Sequence, residues 1–157
     1  MNKELIINAA PNGVEIALLE DRKLVELHQE SNDASFTVGD LYLGKVKKLV
    51  PGMNAAFVDV GFEKDGFLHY TDLSPYVRSI LKFTSLAIAD KSEGISDFGK
   101  FQNEAEIIKT GKIGEVLNGK PNVLVQILKE PIAAKGPRLS CEISLPGRYV
   151  VITPFND

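Results

Sequence analysis

The alternation of apolar and polar positions is clearest between residues 39 and 74, where glycines at 44, 52, 61 and 66 punctuate it. Residues 41–50 alternate in part, with Leu43, Val46 and Leu49 apolar and Tyr42, Lys45, Lys47 and Lys48 amphipathic or charged. Pro51 and Gly52 mark a turn, and residues 54–60 return as a second strand. Period two puts Ala56, Val58 and Val60 on one face and Ala55, Phe57 and Asp59 on the other. An aspartate does not belong inside an apolar barrel, so Phe57 is expected outside with Asp59. Residues 66–69 form a third strand in which Leu68 opposes Phe67 and His69. Phe57, Phe67 and His69 then share one outer surface, with Gly61 and Gly66 expected as turn glycines.

Further along, residues 123–128 read as a strand, 130–136 as a loop carrying Pro131 and Lys135, and 138–143 as a fifth strand. Five strands with a long connection between the third and fourth is the strand count of an OB-fold barrel. That connection, residues 75–120, reads as an elaborated loop. Within it the pattern predicts a helix over 76–89, a Ser/Gly/Asp-rich loop over 90–99 and a short helix over 101–108. Before the barrel, strands at 4–7, 14–19 and 24–28 make a meander too small to bury a core alone. After it, Pro146-Gly147 turns the chain into a strand over 148–153. The simplest account joins these flanks in one sheet that the barrel interrupts, most of which lies outside these 157 residues.

Composition adds little until it is divided. With 44% hydrophobic and 25% charged residues the chain is of the soluble globular type, and its formal net charge of −3 makes no general case for a polyanionic partner. Residues 36–140 nevertheless hold 14 Lys/Arg against 12 Asp/Glu, whereas the flanks hold 4 against 9. Any polyanion site therefore belongs in the middle. Cys141 is the only cysteine, which excludes an intrachain disulfide and a thiolate zinc cluster. No apolar run approaches the ~20 residues of a membrane-spanning helix, and the N-terminus lacks the apolar core of a signal peptide. A soluble cytoplasmic protein is expected.

The chemistry this composition supports is binding. Most phenylalanines are core residues, but an exposed aromatic set on a small barrel is how unstacked bases are held. Lys45, Lys47, Lys48, Lys129, Lys135 and Arg138 are candidates for backbone phosphate, each weighed against an ordinary solvated charge, and Tyr42 is a lesser candidate for the same face. His28 and His69 have no metal-ligand spacing. Asp59, Asp65 and Asp72 are better explained by turns than by catalysis, and nothing matches a phosphate-loop signature. The site as read has no catalytic and no metal-binding residues.

Gly44-Lys45-Val46, residues 56–61 (AFVDVG), Gly66-Phe67-Leu68-His69 and Arg138-Leu139-Ser140 together resemble the S-one type of RNA-binding OB-fold. Ile6-Ile7-Asn8-Ala9 before them and residues 143–149 (ISLPGRY) after them are similar to the N-terminal part of the ribonuclease E/G family, the shorter ribonuclease G type fitting better. The resemblance covers nearly the whole chain except 75–120. It implies strands of a split RNase H-like subdomain over 1–35, an S-one domain over 36–142 and a returning RNase H-like strand over 143–157. By the same resemblance Phe57 and Phe67 match base-stacking positions, Lys135 a basic loop residue near the path, and His69 a surface histidine of S-one domains; Lys45 and Arg138 stand as phosphate candidates on the residue reading alone. Where other S-one domains carry a further aromatic, this chain has Asn54, which implies a leaner platform.

The implied parent enzyme is a homo-oligomeric, Mg²⁺-dependent endoribonuclease of RNA processing and decay. Its paired metal-binding aspartates would lie downstream, so this part is expected to hold single-stranded RNA without cutting it. The alternatives are a stand-alone S-one RNA-binding protein without nuclease activity, and a module that holds subunits together.

Overall fold

The computed structural model describes residues 2–11, 13–31, 36–89 and 101–155, which fall into two compact units divided between Ser35 and Phe36. In the first unit, β1 (Lys3–Ala10), β2 (Gly13–Glu20) and β3 (Lys23–Ser31) form an antiparallel meander in that order. The turn at Asp21-Arg22, both with positive φ, joins β2 to β3. Leu5, Ile6 and Ile7 are consecutive and all more than half exposed, as are Leu24, Val25 and Leu27. Successive strand residues point to opposite faces, so this sheet leaves apolar side chains open on both.

In the second unit, β4 (Leu41–Val50), β5 (Ala55–Asp59), β6 (Gly66–His69), β7 (Asn122–Lys129) and β8 (Arg138–Ser140) close into a barrel in the order β4-β5-β6-β8-β7. All pairs are antiparallel except β6 with β8, and the result is the five-stranded OB-fold expected from the strand pattern. Val46, Ala56, Val58, Leu68, Val123, Val125, Ile127 and Leu139 are nearly or fully inaccessible and fill the interior. These are the period-two partners of the outward residues, so one choice of register buries all of them together.

Helix α1 (Val77–Ile88) forms as expected and packs against β7, burying Val77, Ile80 and Thr84 on one stripe. The short helix expected over 101–108 is absent. Those residues carry no regular secondary structure, and their polar groups are satisfied from α1 and the residues just before it. The Glu104 amide donates to Ser79 Oγ, the Ile107 amide donates to the Pro75 carbonyl, and Lys82 Nζ donates to the Gln102 carbonyl. An isolated eight-residue helix is marginal in water, and these contacts outcompete it. A single helical turn, α2 (Ile113–Val116), forms a few residues later and buries Ile113. The loop expected over 90–99 lies outside the described residues.

Two strands are shorter than the pattern suggested. β8 ends at Ser140 because the Cys141 amide leaves the ladder for the Asp72 carbonyl at 2.8 Å. Beyond it, β9 (Leu145–Pro146) and β10 (Val151–Ile152) form a two-stranded hairpin, closed by the Gly147 amide on the Val150 carbonyl. Residues 148–150 therefore turn rather than extend. Gly66 is also not a turn residue. It lies within β6, and a Cβ there would stand 2.6 Å from Leu139 Cδ1, so its role is to let β6 and the core meet closely.

Candidate nucleic-acid interface

The outer face of the barrel is organised by register. Lys48 on β4 stands opposite Phe57 on β5, Phe57 opposite Phe67 on β6, Phe67 opposite Arg138 on β8, and Arg138 opposite Lys129 on β7. One transverse line thus crosses five strands with two aromatics at its centre and basic residues at both ends. The Phe57 and Phe67 rings meet edge to face at 5.9 Å between centroids, and the His69 ring lies 6.4 Å beyond Phe67, inclined by 24°. All three are partly exposed while their neighbours Val58 and Leu68 are fully buried. The expected common surface of Phe57, Phe67 and His69 is formed.

Lys135 joins this surface from the β7–β8 loop. It lines an open groove of about 690 Å³ together with Met53, Phe57, Lys64, Asp65 and Phe67. The close approach depends on Gly136, where a Cβ would collide with the Asp65 carbonyl, so only glycine lets the Lys135 loop lie against the Asp65 turn. A bridge between Ile132 and Lys135 closes that loop on itself.

The other basic candidates separate. Lys45 is exposed on β4 opposite Asp59 and Asn122, away from the aromatic centre. A bulge at Lys47 lets its ammonium reach Asp59 at 2.9 Å. The Lys47 bond, with support from the Gly61 amide, holds the Asp59 carboxyl below its ordinary range, and the same bond raises Lys47. Arg138 lies beside Phe67 in register, yet its guanidinium forks onto Asp72 at 2.9–3.2 Å. Asp72 is tied down further, its carbonyl accepting from Ser140 Oγ and from the Cys141 amide.

Tyr42 is not on this face. It shares the inward side of β4 with Gly44 and Val46, stacks on Phe36 at 4.8 Å and 6°, and its hydroxyl accepts from the Phe36 amide. With Phe62 it packs against the barrel core. His69 has a structural duty besides its place in the aromatic set. Its Nδ1 accepts from the Thr71 amide at the start of the 3-10 turn Tyr70–Asp72 and lies 2.7 Å from Thr71 Oγ1.

Met53, Lys48 and Lys64 were not singled out by sequence reasoning for this groove or its central row. Lys48 was only one of several lysines, and its place opposite Phe57 depends on the bulge at Lys47, which leaves no local sequence mark. Among the described residues, no group of three or more His, Cys, Asp or Glu side chains is placed to hold a metal ion. No helix of the described residues is long and apolar enough to cross a membrane.

This architecture defines a class, an OB-fold domain whose outer face carries an aromatic set bordered by lysines. Comparison with curated proteins makes the assignment specific. The chain is 35% identical to ribonuclease G of Haemophilus influenzae and 32% identical to ribonuclease G of Escherichia coli K12, each alignment covering 98% of it. It is also 42% identical to ribonuclease E of a Nostoc species over 75% of its length. The chain belongs to the ribonuclease E/G family and is of the G type. It spans about a quarter of the length of the ribonuclease G relatives, 27% in each case. No family model matches it.

Proposed function

We propose that this chain holds single-stranded RNA for a parent endoribonuclease of RNA processing and decay. The observation that carries the reading is the outer aromatic set Phe57–Phe67–His69, bordered by Lys48 in register and by Lys135 from the adjoining loop. Ring centroids separated by 5.9 and 6.4 Å are far wider than the ~3.4 Å rise of stacked nucleotides. A base that stacks on one of these rings gives up a neighbour in its own strand, which a duplex does not permit. Each stacked base contributes about 1–3 kcal/mol, and the lysines supply a salt-dependent backbone term.

The names of the relatives support a ribonuclease parent. In this reading the Mg²⁺ on which cleavage depends is held by other residues of that cytoplasmic enzyme, and the described residues position the strand without cutting it. The three-stranded meander, apolar on both faces, is consistent with part of an RNase H-like subdomain completed by further chain.

The test is affinity for a fluorescent oligoribonucleotide against the same sequence annealed to its complement. The single strand is expected to bind at least tenfold more tightly. Equal binding would reduce the aromatic set to surface decoration on a merely basic domain.

A further inference from the structure

Beyond His69 the surface continues into a second feature that the aromatic set does not account for. Tyr70, Thr71, Leu73, Pro75, Ile107, Lys109 and Glu142 line a recess of about 160 Å³. It adjoins the aromatic set through a direct contact, since Thr71 Oγ1 lies 2.7 Å from His69 Nδ1. Its two charged residues come from distant parts of the chain and both have anchored backbones. Lys109 follows Ile108, whose carbonyl accepts from the Tyr70 hydroxyl. The Glu142 amide donates to Ser140 Oγ, which in turn donates to the Asp72 carbonyl.

Lys109 and Glu142 line one small recess, yet neither side chain has an ion pair or hydrogen bond among the described residues. Both residues are exposed, so an ammonium and a carboxylate, neither paired within the described residues, border a recess that Leu73, Pro75 and Ile107 also line. A ligand that complements both carries an anion and a hydrogen-bond donor such as a hydroxyl. A ribonucleotide does so, with its phosphate and its ribose 2′-hydroxyl, and a deoxyribonucleotide lacks the second group.

We propose that this recess is a ribonucleotide subsite, next in line after His69, in which Lys109 meets a phosphate and the Glu142 carboxylate accepts from a ribose 2′-hydroxyl. The inference rests on the proposal that the aromatic set binds a single strand. It adds a function to it: the barrel rim and the 75–120 connection together distinguish RNA from DNA. Glu142 would otherwise weaken phosphate binding, and the hydroxyl gives that carboxylate a purpose.

The experiment titrates the 157-residue chain with a fluorescein-labelled oligouridylate and with the matching oligodeoxyuridylate. Glu142 is exposed, so Glu142→Ala is compatible with the fold, which circular dichroism checks. The substitution is expected to lower RNA affinity roughly tenfold, the scale of a hydrogen bond to a charged group, and to leave DNA affinity equal or higher. Lys109→Ala is expected to weaken both oligonucleotides alike and to reduce the salt slope by about 0.7. An unchanged RNA-to-DNA ratio in Glu142→Ala overturns the subsite, as does an equal loss for both strands. If that ratio holds while Phe57→Ala and Phe67→Ala still lose binding, the subsite fails and the stacking surface stands. If the phenylalanine variants also bind normally, the stacking reading fails with it.

Discussion

Asn54 holds Ile113 in place. Its carboxamide oxygen accepts from the Ile113 amide at 2.7 Å, while its Nδ2 donates to the Gly111 carbonyl at 3.0 Å. One side chain at the mouth of β5 thereby fixes the residues that lead into α2 and close the long connection onto the barrel. Asn54 itself sits in the left-handed region (φ 48°), which asparagine tolerates better than most residues. What resembles a missing aromatic in the sequence is a clasp in the structure.

Removing that clasp separates two effects. Asn54→Gly keeps the backbone conformation and loses both hydrogen bonds, for an expected cost of about 1–3 kcal/mol. Asn54→Ala loses the bonds and also forces alanine into the left-handed region, adding about 1 kcal/mol. Urea midpoints at an unchanged m value measure both. An alanine variant more stable than the glycine variant would contradict this account of the backbone.

The approach of the Lys135 loop to the Asp65 turn depends on Gly136. Gly136→Ala is expected to destabilise the barrel by about 1–3 kcal/mol through overpacking against backbone. It should also weaken oligonucleotide binding although Lys135 is untouched, because the loop must move. Wild-type affinity in a folded Gly136→Ala protein would show that the groove does not need Lys135 where it stands.

How much of this was readable in advance follows from what is local. Period two fixes the side of a strand, so Ala56 and Val58 inside with Phe57 outside was available from residues 54–60 alone, as was the shared face of Phe67 and His69. Register across strands is not local. The bulge at Lys47 sets Lys48 rather than Lys47 opposite Phe57, and the pairing of Arg138 with Asp72 spans 66 positions. Tyr42, only a lesser candidate for the outer face, stands inward, its hydroxyl accepting from the Phe36 amide at one end of the core. Residues 101–108 had enough apolar content for a helix, but their hydrogen-bond partners are Ser79 in α1 and Pro75 just before it, of which sequence spacing gives no sign.

Cys141 gives the barrel an alkaline weakness. It is fully buried, and desolvation, aided by the Asp72 charge, pushes its thiol up to about 12 from an ordinary value of 9.0. The folded state therefore keeps its proton where the unfolded chain releases it. The associated stability is intact below pH 9 and falls as pH rises above it, by at most about 1.4 kcal/mol per pH unit. Chemical denaturation of wild type and Cys141→Ala from pH 8 to 10.5 checks the sign, the difference between them shrinking as pH rises. Native protein should also resist thiol reagents at pH 8, and rapid labelling without unfolding would refute the burial.

The electrostatic share of binding has its own signature. For single strands the slope of log K against log salt is about −0.7 per neutralised phosphate, so contacts from Lys48, Lys64 and Lys135 contribute about −2, and Lys109 in its subsite about −0.7 more. Lys135→Ala is expected to flatten it by about 0.7. Lys47→Ala, whose ammonium is held by Asp59, is expected to change it far less. A larger effect from Lys47 than from Lys135 would relocate the phosphate path to the other side of β4.

The aromatic surface is the centre of the account, and one titration addresses it directly. A fluorescent single-stranded oligoribonucleotide is bound to wild type, Phe57→Ala, Phe67→Ala and the double variant at fixed salt, with folding confirmed by circular dichroism. Each single substitution is expected to cost about 1–3 kcal/mol of binding free energy, and the double variant more than either. A folded double variant that binds RNA as tightly as wild type would contradict the claim that Phe57 and Phe67 hold the strand.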